Sequence, residues 1–259
     1  GDVTFELGSG DATISGNGAN TSDFRIIRHS GTGTVTVDSA VTSDGGIFFD
    51  GVTSANDSTF VINGDISGTG LITLRNNAHA TFSGDNSGHT GTWRIDATVG
   101  NTRLNVTSVN GLGTSEVVLD QTGARLAFDV DGTFSNDVRM INDGNDKNLS
   151  VENGHTVDLT GSVFLEENGA ANRHRFIVED DASLTISGVV TEALDGDGIR
   201  VSAGNASSRF ILTNPANDFT ATTTSDINLI DPGEFVITSN GTVNGVRLIS
   251  LEDTDAALV

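Results

Sequence analysis

Among the side chains of this chain, the carboxylates are the ones best placed to do chemistry. Asp195-Gly-Asp197-Gly198 and Asp143-Gly-Asn145-Asp146 each set two acids and free carbonyls around a tight bend. Hard oxygen donors of this kind suit Ca²⁺, so calcium is the candidate cofactor, with Asp195, Asp197, Asp143 and Asp146 as its candidate ligands. Neither stretch follows the EF-hand loop or the Gly-rich nonapeptide of Ca²⁺-binding solenoids, and solvated turns are the simpler reading. A second cluster is Arg173-His174-Arg175, close to Glu179, Asp180 and Asp181. A polysaccharide lyase needs a base and a cation to neutralise a uronate, and this cluster holds both. Its plainer reading is a charged turn, whose exposed ion pairs are worth about 0–1 kcal/mol each.

Other chemistry lacks its pattern. There is no GxSxG elbow and no HExxH pair, and Lys147 follows Asp146 rather than a Gly-rich loop. The GxG triplets at Gly8/Gly10, Gly16/Gly18, Gly31/Gly33 and Gly68/Gly70 precede no helical pattern and read as corners. The five histidines (His29, His79, His89, His155, His174) lie mostly beside Gly, Asn or Ser and are expected in exposed turns. Trp93 alternates with Ile95, which makes it core rather than a sugar platform. The expectation is therefore a protein without catalysis, with a polysaccharide-active β-helix enzyme (a lyase or hydrolase) or a phage tailspike-like segment as the alternative.

Charge narrows the partners. The formal net charge is -22, the pI is near 4.2, and Lys147 is the one lysine. Such a surface repels phosphate backbones and gives no polybasic face for lipid, so neither nucleic acid nor a membrane is an expected partner. Many Asp and few Lys suit a salty medium, where screening weakens self-repulsion. With no Cys, disulfides and thiolate metal sites are excluded. No apolar run is long enough to span a bilayer. The chain opens on Gly1-Asp2-Val3-Thr4, already strand-like, and closes on Leu258-Val259, so it is expected to be a segment of a longer protein.

The elements that would position these residues are short strands. With 32 Gly, 2 Pro and abundant Thr, Ser, Asn, Asp and Val, the vocabulary is that of strands and turns. Apolar runs recur about every ten residues, as in an all-β protein. They include Thr34–Val37, Ile47–Phe49, Phe60–Ile62, Leu71–Leu74, Trp93–Ile95, Leu126–Phe128, Phe176–Val178 and Phe235–Ile237, most with apolar residues at alternate positions. Between them lie Gly/Asn/Asp clusters such as Ser43-Asp-Gly-Gly46 and Gly84-Asp-Asn86. Only Thr254–Val259 has helix-like spacing, and it is too short to form one.

Two architectures fit: a pair of β-sandwiches in tandem, or a parallel β-solenoid. A hydrophobic content of 36% suits the thin core of a solenoid. The sandwich lacks its tyrosine corner, for there is no Tyr. Weak repetition favours the solenoid: Gly31-Thr-Gly33-Thr-Val-Thr-Val37 echoes Gly68-Thr-Gly70-Leu-Ile-Thr-Leu74.

Three stretches resemble the autotransporter-associated β-strand repeat of bacterial secreted adhesins. The first is Gly68–Leu74 followed by Phe82-Ser-Gly-Asp-Asn86 and Gly91-Thr-Trp93. The others are Val109-Asn-Gly-Leu-Gly-Thr114 leading into Val117-Val-Leu119, and Thr133-Phe-Ser-Asn-Asp-Val138. Asn214-Pro-Ala-Asn-Asp-Phe-Thr220 is similar to a decayed copy of the first. The match centres on residues 66–140. The resemblance implies a right-handed parallel β-helix, exported to the bacterial surface or beyond it. Residues 1–259 are then expected to form one solenoid segment with a structural or adhesive role. Its expected partners are neighbouring domains of the same chain, further copies of itself, or surface carbohydrate.

Overall fold

The computed structural model describes residues 3–7, 12–14, 20–21, 25–29, 33–51, 58–97, 101–121, 123–141, 148–166, 174–192, 198–219, 226–238, 246, 248–252 and 256–259. Among these there are 29 strands and no helix. The fold is a parallel β-solenoid, which removes the tandem-sandwich alternative. Its chain divides into two compact units, residues 1–126 and 127–259.

In the first unit each coil visits two long faces, and the first three coils also visit a third. One sheet stacks Val3–Leu7, Arg25–His29, Ile47–Asp50, Ile72–Arg75, Trp93–Asp96 and Val117–Asp120. A second stacks Ala12–Ile14, Thr34–Val37, Ser58–Ile62, Ala78–Phe82 and Thr102–Val106. The third is short, made of Asn20–Thr21, Val41–Thr42 and Ile66–Ser67. Every one of these pairs is parallel, so each strand lies above the matching strand of the previous coil.

Alternation then fixes what is inside. Phe49 lies in register with Leu74, Ile95 and Leu119, and Val35 with Phe60, Ala80 and Leu104. All eight side chains are buried. Phe49, Phe60, Phe82 and Trp93 meet edge-on between the sheets, with ring centroids 4.8–5.6 Å apart. Each such ring adds about 1.5–3 kcal/mol by burial, and edge-on contact adds about 0.5–1.5 kcal/mol per pair. The Trp93 Nε1–H donates to the Leu112 carbonyl at 2.9 Å, so the indole is buried without leaving its donor unpaired.

The second unit repeats the plan with a longer third face. Gly132–Phe134, Thr156–Leu159, Ser183–Ile186, Arg209–Leu212, Gly233–Ile237 and Ala256–Leu258 stack in parallel there. Asn148–Val151, His174–Val178, Gly198–Ala203, Asp226–Leu229 and Leu248–Leu251 form another sheet, and Val138–Ile141, Val163–Glu166 and Val190–Glu192 the remaining one. Phe176, Phe210 and Phe235 line up through this interior at centroid spacings of 5.1 and 5.7 Å. The strand Ala256–Leu258 replaces the helix-like reading of Thr254–Val259, because pairing with Gly233–Phe235 satisfies its backbone.

Glycine sets how closely coils approach at the corners. A methyl group on Gly91 would overlap the Gly70 carbonyl of the coil below, and one on Gly188 would overlap the Gly161 carbonyl.

Candidate functional site

The four candidate calcium ligands lie outside the described residues. Asp143 and Asp146 fall between the strands Val138–Ile141 and Asn148–Val151, and Asp195 and Asp197 between Val190–Glu192 and Gly198–Ala203. Arg173 is also outside the described residues. Its two neighbours correct the reading of a charged turn: His174 and Arg175 belong to the strand His174–Val178. His174 faces inward at 3% exposure, while Arg175 faces out and donates from Nε to the Ser202 hydroxyl at 3.0 Å. Period-two alternation separates them, one to the core and one to the surface.

The histidines also depart from exposed turns. His89 and His174 are buried. His79 is half-buried on a strand, its Nε2 2.9 Å from the Asn101 carbonyl. His155 sits between two acids, with Nε2 3.3 Å from Asp129 and Nδ1 3.3 Å from Asp131. Trp93 is core, as its alternation with Ile95 implies.

Polar side chains of this solenoid act from coil to coil. On the outer face of the first unit, Arg75 donates to Asp50 at 3.1 Å and covers the Phe48 ring, 4.7 Å from its centroid. Asn76 donates to the other Asp50 oxygen at 2.7 Å, so this buried carboxylate has donors on both oxygens. Arg94 pairs with Asp120 in the next coil. The second unit builds the same clamp from Arg139, which pairs with Glu166 and lies 4.7 Å from the Phe164 centroid. Further along, Arg209 holds Glu234 at 2.9 Å. In both clamps the outward phenylalanine is covered by a guanidinium.

At the corners, where no sheet runs, side-chain oxygens replace the ladder. Asp44 accepts the Thr69 N–H at 3.0 Å, Asp65 that of Asp85 at 2.8 Å, and Asp137 that of Ser162 at 2.7 Å. Asp131 accepts the Thr156 N–H at 2.7 Å. That bond, and then His155, hold the Asp131 carboxyl below its ordinary value. Asp85 is lowered in the same way by the N–H and hydroxyl of Ser87.

Two asparagines do this in the interior. Asn86 is fully buried; its Oδ1 accepts the Ile66 N–H at 2.7 Å, and its Nδ2 donates to the Gly111 carbonyl at 2.7 Å. Asn217 is its counterpart in the second unit, accepting the Val190 N–H at 2.9 Å. Asn136 is buried at a similar corner. All three stand in the stretches that carry the repeat resemblance. The sequence marks them as turn formers, and the signal of their burial is their recurrence just after a strand ending in Phe or Leu.

Among the described residues, no three of His, Cys, Asp and Glu are grouped so as to hold a metal. No family model, curated protein or solved structure matches this chain.

Proposed function

We propose that this chain is a structural or adhesive solenoid segment of a bacterial cell-surface or secreted protein, working without catalysis. The observation that carries this reading is how the polar side chains are used. Arg75, Arg94, Arg139 and Arg209 each bond an acid one coil away, and the corner Asp and Asn side chains bond backbone N–H groups of adjacent coils. Groups spent on stacking hold coil to coil and leave a hydrated acidic surface to face outward.

The resemblance to the autotransporter-associated repeat supports the export part of the reading. The residues that carry it form a strand at Ile72–Arg75, a buried corner at Asn86 and a strand at Trp93–Asp96. On this reading the chain lies outside the cell, its partners are neighbouring domains of the same chain, further copies of itself or surface carbohydrate, and Ca²⁺ at the Asp-Gly turns is a secondary ligand.

The test presents the purified chain with a panel of neutral, uronate-containing and sulfated polysaccharides. Retention on glycan or on immobilised copies of the chain, with no shortening of any polymer, is the expected result. Release of reducing ends or of unsaturated uronates would refute the non-catalytic reading and favour a polysaccharide-active β-helix. One observation favours that second reading: Arg175 and Arg200 are in register on adjacent strands, with Asn228 on the next.

A further inference from the structure

The corner that carries Asn86 also carries the most completely buried titratable ring among the described residues, His89. Its Nδ1 lies 3.1 Å from the Gly68 carbonyl of the preceding coil. That carbonyl also accepts the Thr90 N–H at 3.0 Å, and Gly68 and His89 pair as an isolated parallel bridge. The carbonyl can only accept, so Nδ1 carries the proton and Nε2 keeps a lone pair. Nε2 is buried with no hydrogen-bond partner. The ring stands edge-on to Trp93, at 5.0 Å between centroids.

Among the described residues, the ring's recorded partners carry no negative charge. Its contacts are the Gly68 carbonyl and the indole, and its backbone is held by Asn86, Thr114 and Ser115, none of which titrates. Asp44, Asp65 and Asp85, the acids of the surrounding corners, are exposed and hold the backbone N–H groups of Thr69, Asp85 and Ser87. Glu116 follows Ser115 and is half-buried.

We propose that the His89 corner is an acid-sensitive latch of the first unit. Neutral His89 ties residues 84–91 to the Gly68 corner. A proton on Nε2 creates a buried cation with a donor that has no acceptor, and the corner then leaves the coil beneath it while the strands on either side stay paired. Desolvation draws the pKa of this ring below its ordinary 6.5 and the Gly68 bond opposes it, which sets the response on the acid side of that value. The corner can part by itself because single bonds, as at Gly68, Thr90 and Asn86, tie it to the coil beneath, whereas Ile72–Arg75 is paired along both edges.

The test is backbone amide exchange of the full chain, followed residue by residue and corrected for the intrinsic effect of pH. Protection of the His89, Thr90 and Thr114 amides is expected to fall about tenfold per pH unit below 6.5, while the Leu74 and Ile95 amides hold theirs. His89→Phe keeps a ring against Trp93 and removes the titration, so its corner amides should show no such slope. Unchanged protection in the native chain between about pH 7 and 5, an equal loss at Leu74, or the same slope in the variant would each overturn the proposal. Should the variant fail to fold, the ring resonances of His89 in the native chain decide: a midpoint at or above 6.5 overturns the latch, and a lower one that tracks the amide loss supports it.

Discussion

Replacing Asn86 by alanine tests whether the buried corner bonds hold the coils together. The side chain satisfies two groups that water does not reach: the Ile66 N–H and the Gly111 carbonyl, each at 2.7 Å. A buried polar group left without a partner costs about 1–3 kcal/mol, so losing both partners in Asn86→Ala should destabilise the first unit by about 2–6 kcal/mol. Asn86→Asp is the sharper companion. It keeps an acceptor for Ile66 but aims a second oxygen at the Gly111 carbonyl. Burial and that repulsion raise the introduced carboxyl above its unfolded pKa of about 3.9. The sign follows: its deficit relative to wild type is largest at neutral pH and shrinks as pH falls, because the protonated acid again donates to Gly111. The assay is urea unfolding followed by Trp93 fluorescence, with wild type measured at each pH. Asp44→Ala serves as the exposed control, since water can replace its bond to Thr69; it should shift stability by no more than about 0.5 kcal/mol. If Asn86→Ala costs as little as the control, or the Asp variant shows no pH trend, the corner bonds do not carry the weight given to them.

Three further outcomes can be checked alongside the loss of protection at His89. Phe82→Ala removes a fully buried ring that touches Phe49 and Trp93, and should cost about 3–5 kcal/mol with a red shift of Trp93 emission. Gly91→Ala pushes a methyl group into the Gly70 carbonyl and should cost about 1–3 kcal/mol in the same urea assay. Asp131 has a folded pKa lowered from 3.8, so its contribution is present above that value and disappears as pH falls through the folded pKa. Asp131→Asn should therefore flatten the acid limb of the melting temperature measured by circular dichroism, with a small amplitude because the carboxylate is exposed.

Alternation made the architecture legible. Val35 and Val37, Leu126 and Phe128, and Trp93 and Ile95 all read as inward pairs from sequence, and all are buried. Gly, Asn and Asp clusters marked the corners, because few other residues bend the chain so tightly; Asn76 and Asn77 adopt φ of 55° and 62° in succession. The two-residue strands Asn20–Thr21, Val41–Thr42 and Ile66–Ser67 escaped notice, since two residues show no period. The polar interior escaped as well. Local sequence says that Asn86 and His89 favour a turn, but whether a turn faces water depends on the coil stacked against it, some 20 residues away. Glu192 makes the same point, buried at 3% exposure in register with Leu165.

The coil-to-coil bonds span between 19 residues, as from Trp93 to Leu112, and 29, as from Asp158 to Ser187. Strand register stays intact while the corners absorb the difference. Length can therefore change cheaply in only two ways: inside a corner, or by a whole coil. Deleting one residue within Ile72–Arg75 would turn its inward side chains outward against both neighbours at once. Deleting a full turn would instead bring like positions together again. A gene encoding such a protein can thus lengthen or shorten by unequal recombination between its own repeats, and the number of stacked coils becomes a trait that varies in steps.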